Sequence, residues 1–249
     1  MTVAVIHVTG TLINSGTVLA GTVCGTLLGE RLPERIRDTV MDGLGLVVIV
    51  VGVWEGLSAF QGPLAALTRG SVIIVLVSVL VGAIIGELLR IEDRLNAAGE
   101  WLKQRIGSRQ STFTEGFVVA SLVFCVGPLT ILGSLQDGLK GDYSLLAIKA
   151  VLDGFAALAF ASALGWGVGF SVVTILVYQG GLSLVAGTVA GAIPQPDSSP
   201  SIAAVTATGG ILILAIGLRL LRLREVRVGN LLPALALAPI AVLLVERLG

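Results

Sequence analysis

Charge is scarce in this chain. Asp, Glu, Lys and Arg make up 13% of 249 residues, against roughly 25% in a soluble domain. The 16 basic and 16 acidic side chains cancel to a formal charge of +0, which argues against nucleic acid as a partner. One His and two Cys exclude the usual Cys/His zinc clusters. Cys24 and Cys125 fall within apolar runs and read as small packing residues rather than a disulfide. Neither a P-loop, a GxSxG nor an HExxH motif occurs. The chain is therefore not expected to be an enzyme, and no cofactor is implied. Its opening, MTVAVIHVTG, has no Lys or Arg before the apolar run and so lacks the basic region of a secretory signal peptide. It reads as a first membrane helix that is retained.

What is present in quantity is apolar sequence: 55% hydrophobic residues and 33 Gly, with a mean hydropathy of +0.97. A helical crossing needs about 20 mostly apolar residues. Eight runs qualify: 3–28, 39–60, 70–90, 113–136, 144–164, 169–192, 201–221 and 231–247. Residues 124–137, FCVGPLTILGSLQD, read as a possible broken or re-entrant element, so seven crossings is the alternative count. The fold class is all-α, a polytopic transmembrane bundle forming a single integral membrane domain over 1–249. Basic residues crowd alternate loops, at 30–38, 90–109 and 219–227, while 61–69 has only Arg69, 137–143 only Lys140 and 193–200 none. By the positive-inside rule this puts the N-terminus outside and the basic loops in the cytoplasm. Within 91–106, Ile91, Leu95, Ala98, Leu102 and Ile106 share one helical face and charges fill the other, the pattern of an interfacial amphipathic helix.

Two stretches resemble each other at a separation of 111 residues: RDTVMDGLGLVVIVVGVWEG (37–56) and IKAVLDGFAALAFASALGWG (148–167). Each carries an Asp-Gly pair, Asp42-Gly43 and Asp153-Gly154. Upstream, Gly16 in SGTVLAG matches Gly127 in VGPLTILG. Downstream, residues 71–86 match 171–187. Crossings one to three thus correspond to crossings four to six. Three is odd, so the halves would have opposite topology, an inverted 3+3 repeat. Half one covers about 1–90, half two about 113–192, and two C-terminal helices, about 201–249, fall outside it. A shorter likeness, GTLLGE (25–30) and GAIIGE (82–87), gives small-xxx-small faces at Gly25/Gly29 and Gly82/Gly86, which suit close helix packing.

Ionisable groups inside membrane segments are costly unless paired or hydrated, so each is a functional candidate. Asp153 lies well inside the fifth crossing, with Lys149 one turn earlier on the same face. The pair reads either as structural glue or as a solute, cation or proton site. Asp42, its repeat mate, sits closer to the cytoplasmic edge. Asn14 in the first crossing offers two donors and an acceptor and needs partners in hydrocarbon. Gln179, in YQGG of the sixth crossing, suits a pore-lining position. His7 and Glu55 fall near the outer surface. In 124–137, Pro128 interrupts the helix between Gly127 and Gly133, and Thr130, Ser134, Gln136 and Asp137 follow. Freed backbone groups there can bind ions if they line a cavity.

Five segments, LGERLPERIRDTVMDGLGL (28–46), FCVGPLTILGSLQDGLKGD (124–142), KAVLDGFAALAFASALGWGV (149–168), VYQGGLSLVAG (177–187) and RVGNLLPAL (227–235), resemble the bacterial membrane family called domain of unknown function 554. The resemblance covers nearly the whole chain. It implies a bacterial polytopic inner-membrane protein of transport type and supplies no substrate. The Asp-Gly helices are also similar, over a few residues, to the small-Asp-small helices of manganese exporters and the lysine-exporter-like group. That likeness implies that Asp42 and Asp153 are cation ligands, and a hard divalent cation does take carboxylate and amide oxygens.

The expected function is secondary transport or channelling of a small solute or ion, with a divalent-cation exporter as one form of it. The site would lie between crossings one, four, five and six, from Asn14, Gly127, Pro128, Gln136, Asp137, Lys149, Asp153 and Gln179, with Asp42 as a further candidate. Partners are the lipid bilayer and the solute, and a Gly-rich surface permits a homodimer. The competing reading is a non-transporting scaffold or regulatory protein, in which the polar residues only join helices. A transporter needs a polar cavity reaching Asp153; a scaffold would bury it against Lys149.

Overall fold

In hydrocarbon a backbone must satisfy its own polar groups, so long apolar runs fold as helices. A computed structural model describes residues 7–61, 64, 71–192 and 199–248. Among these the chain forms α1 (Thr9–Gly29), α2 (Glu34–Gln61), α3 (Ser71–Leu89), α4 (Ile91–Arg105), α5 (Phe113–Cys125), α6 (Pro128–Lys140), α7 (Ser144–Leu164), α8 (Gly167–Phe170), α9 (Val172–Ala192), α10 (Pro200–Leu220) and α11 (Pro233–Leu248), with a 3-10 turn at Val228–Leu231. Among the described residues seven spans are long and apolar enough to cross a membrane, and α5 with α6 makes an eighth candidate bent by 64°. The protein is an all-α, multi-pass membrane protein. Residues 3–6 of the expected first crossing, Arg69 with most of loop 61–69, and most of loop 193–200 lie outside the described residues.

The burial pattern is that of a membrane helix bundle. On α7 the buried face carries Leu146, Lys149, Ala150, Asp153, Ala157 and Phe160, while Ile148, Val151, Leu152 and Phe155 are exposed. Charge inside and aliphatic side chains outside suit a lipid solvent and no aqueous one.

The break expected within 124–137 is present, and one boundary differs from expectation. The run 113–136 is two helices, because Pro128 cannot continue α5 and instead opens α6, where its missing N–H costs nothing. The sixth crossing starts earlier than residue 169, with the single turn α8. It follows α7 closely because Gly165 adopts φ +77, a left-handed conformation that a side chain would strain.

The helices group into two units. The first takes the described residues of 1–37, 107–125 and 129–194, and the second those of 38–106, 126–128 and 195–249. In the first, α1 and α7 run parallel with backbones in contact. A Cβ on Gly21, Gly25 or Gly29 would stand 2.1 Å from the carbonyl oxygen of Gly154, Leu158 or Ser162 respectively. Absence of side chains at every fourth residue permits this approach. The α5–α6 pair runs antiparallel along the whole of α7: Gly116 meets Leu164, Phe124 meets Phe160, and Gly133 meets Leu146. Cys125 is buried and Cys24 is exposed, both as free thiols, so the packing role expected of Cys24 is not seen.

In the second unit α2 runs antiparallel to α10, where a Cβ on Gly210 would stand 2.4 Å from Gly56 N. Likewise α3 runs antiparallel to α11 and the turn before it: a Cβ on Gly82 would stand 2.5 Å from Ala234 N, and one on Gly86 1.9 Å from Asn230 O in the 3-10 turn. Both small-xxx-small faces read from the sequence are therefore packing faces. The amphipathic segment is α4, but not all its charges face outward. Glu92 is buried, and its two oxygens accept from Arg219 Nη1 at 2.6 Å and Gly229 N at 2.7 Å. Asn230 accepts from Glu92 N through Oδ1 and donates to Glu87 Oε2 through Nδ2, both at 2.7 Å. Arg227 pairs with Glu87. These bonds hold α4 to the 3-10 turn and to the end of α10.

Candidate functional site

In the first unit three helices bring their rare polar side chains together. Lys149 and Asp153 are one turn apart on α7 and form an ion pair; residue exposures are 6% and 8%. The parallel, close packing of α1 brings Asn14 to this pair, and its Nδ2 donates to Asp153 Oδ2 at 2.9 Å. The same Nδ2 donates at 3.1 Å to Gln179 Oε1, from α9. Gln179 Nε2 in turn donates to Thr11 Oγ1 at 3.1 Å, one turn before Asn14 on α1. Asn14 and Gln179 are fully buried. Asp153 is the tenth of the 21 residues of α7, so the group sits near mid-helix.

At the N-terminal end of α1 a second buried carboxylate appears. Asp137, on α6, accepts the Gly10 N–H at 3.0 Å through Oδ2. Val8, the residue before α1, gives no side-chain cap, so Asp137 caps α1 from another helix. The exposed N–H groups and dipole of a helix start favour a carboxylate there. Asn14 Oδ1, Asp137 Oδ1 and Ser134 Oγ are buried with no hydrogen-bond partner among the described residues.

Of the residues expected at the site, Asn14, Lys149, Asp153 and Gln179 are directly linked, and Asp137 is joined to α1 one turn before Asn14. The bonds described do not involve Gly127, Pro128 or Gln136. Gly127 and Pro128 lie at the α5–α6 break, which groups with the second unit, and Gln136 is half-buried on α6. Asp42 is exposed on α2, in the second unit. Thr11 was not anticipated; its position three residues before Asn14 on one helical face was the available signal. Among the described residues no three His, Cys, Asp or Glu side chains form a group that could hold a metal ion.

Comparison with known proteins agrees with the motifs. Residues 9–243 match the family described as "Protein of unknown function (DUF554)". The chain is 28% identical over 243 residues to "Uncharacterized membrane protein YdfK" of Bacillus subtilis (strain 168), covering 96% of this chain and 98% of that one. It is 33% identical over 237 residues to "Uncharacterized protein YqgA" of Escherichia coli (strain K12), covering 93% and 94%. No solved structure matches. With nearly its full length matched, the chain belongs to the DUF554 family.

Proposed function

We propose that this protein is a secondary transporter or channel for a small solute or ion in the bacterial inner membrane, with its N-terminus outside. The observation that carries this reading is the convergence of Asn14, Lys149, Asp153 and Gln179 from three helices. Burying an ion pair and two amides in hydrocarbon is costly, and such groups usually mark a solute or ion path. A merely structural network would be fully bonded, whereas Asn14 Oδ1 and Asp137 Oδ1 have no partner among the described residues.

The α5–α6 pair is read as the fourth of eight crossings. Its contacts follow α7 from Leu164 to Leu146, as a broken helix would and a hairpin returning to its own side would not. Two crossings, α3 and the α5–α6 pair, then lie between α2 and α7, so the two run in opposite directions, as an inverted repeat requires. Asp42 is eight residues after the α2 start at Glu34, and Asp153 nine after the α7 start at Ser144. The basic loops supply the orientation.

The scaffold reading has one observation in its favour, the burial of Asp153 against Lys149. A thermal-shift screen of purified protein separates the two. Divalent cations, amino acids and small organic anions are tested on wild type and on Asp153→Asn. A ligand that binds the folded state raises its melting temperature. Transport predicts a stabiliser whose effect the variant loses. A variant merely less stable under every condition, with no stabiliser of wild type, supports the scaffold.

A further inference from the structure

Asn14 touches two acceptors, Asp153 Oδ2 and Gln179 Oε1. Its nitrogen is its sole side-chain donor atom, so that end must face them. Oδ1 is thereby turned away, buried and without a partner among the described residues. An amide oxygen stands about 2.3 Å from its own nitrogen. With Nδ2 2.9 Å from Asp153 Oδ2, the two oxygens are roughly 5 Å apart at most, which one ion with contacts of about 2.3–2.6 Å can bridge after a small rotation. The uncommitted atoms are oxygens, which select a hard cation.

Charge fixes the valence. Asp153 and Asp137 are both buried, and among the described residues Lys149 is the one cation paired with either. Two carboxylates and one ammonium leave a single negative charge, only partly offset by the start of α1. Asp137 is the second seat we assign to Lys149. Leu146 lies against both Gly10 and Gly133, Gly10 N–H is bonded to Asp137, and Lys149 follows Leu146 by three residues on the same face of α7. Asp137 Oδ1 has no partner among the described residues.

We propose that a monovalent alkali cation and the Lys149 ammonium compete for the Asp153 carboxylate, the cation being completed by Asn14 Oδ1 while Lys149 moves to Asp137. Lys149 is then a tethered stand-in that neutralises Asp153 while the cation is absent. The inference deepens the transport reading by naming the ion of the same site.

The test titrates purified full-length protein with sodium, potassium or lithium chloride against choline chloride at constant ionic strength, followed by melting temperature and calorimetry. Wild type is expected to bind one of these cations. Lys149→Gln is expected to bind it at least tenfold more tightly, because the competitor is gone. Lys149→Arg, whose guanidinium holds a carboxylate through two bonds, is expected to weaken binding at least tenfold, as are Asp137→Asn and Asp153→Asn. Binding by Lys149→Arg equal to wild type overturns the competition, and so does a folded Lys149→Gln that binds no more tightly. Should Lys149→Gln not fold, the Arg and Asp137→Asn variants decide. A solute of another class that stabilises wild type through Asp153, with no alkali response in any variant, overturns this inference and leaves the transport reading standing. A protein with no stabiliser of any class overturns both.

Discussion

Each unit of this protein holds an ion pair with a buried carboxylate, and the two pairs are finished differently. In the second unit both Glu92 oxygens are taken, by Arg219 and by the Gly229 N–H, and both ends of the Asn230 amide are used. In the first, Lys149 and Asp153 are joined by Asn14 and Gln179, but Asn14 Oδ1 is left without a partner among the described residues. A saturated network rigidifies; an unsaturated one in hydrocarbon persists only if something repays its cost. The difference separates a clamp from a candidate site: Glu92 holds α4 in place, and on the transport reading Asp153 waits for a ligand.

The clamp should break hardest. Glu92→Ala leaves Arg219 and the Gly229 N–H without their partner, and is expected to cost about 3–5 kcal/mol in denaturant unfolding in detergent. Gly25→Ala comes next. Its Cβ would meet the Leu158 carbonyl at 2.1 Å, and backbone cannot step aside as a side chain can. Pushing α1 from α7 is expected to cost about 1–3 kcal/mol and to abolish ligand stabilisation, since Asn14 leaves Asp153. The joint change Lys149→Met with Asp153→Leu sharpens the contrast. Stability is expected to stay level or rise by about 1–4 kcal/mol, while flux into proteoliposomes is lost. A stable double variant that still transports would show the pair to be mere glue. The smallest effect concerns the Asp-Gly pair of α2. Nothing lies within 4 Å of a Cβ on Gly43, so Gly43→Ala in α2 is expected to add about 0.5–1 kcal/mol. Gly154→Ala should instead destabilise, because its Cβ would stand 3.2 Å from Thr17 Cβ.

That last pair shows what the sequence could and could not reveal. Asp42-Gly43 and Asp153-Gly154 read alike, and both lie at similar depth in long helices. Which becomes buried depends on the helix packed against it. Gly154 faces the Gly stripe of α1, while Asp42 and Gly43 are exposed. Asn14, Lys149, Asp153 and Gln179 were legible because uncharged hydrocarbon surroundings make any polar residue conspicuous. The membrane class and the eight candidate spans were legible from run length alone. Asp137 was visible as a residue but not as the cap of α1, since its partner Gly10 is 127 residues away. Glu92 was hidden for the same reason: on an amphipathic helix it reads as one more solvated charge. Its burial is created by Arg219 and Asn230, 127 and 138 residues distant.

Water access to the Asn14–Asp153–Gln179 group tests the central claim most directly. Cys24 and Cys125 are replaced, and single cysteines are introduced as Asn14→Cys, Gln179→Cys and, as a buried apolar control, Val18→Cys, which is fully buried on α1. Small charged thiosulfonate reagents are applied from either side of the membrane. A transport site predicts that positions 14 and 179 react, that position 18 does not, and that a ligand acting through Asp153 slows the reaction. Folded protein in which 14 and 179 stay as inert as 18 from both sides would contradict the account and leave the group as helix-joining glue.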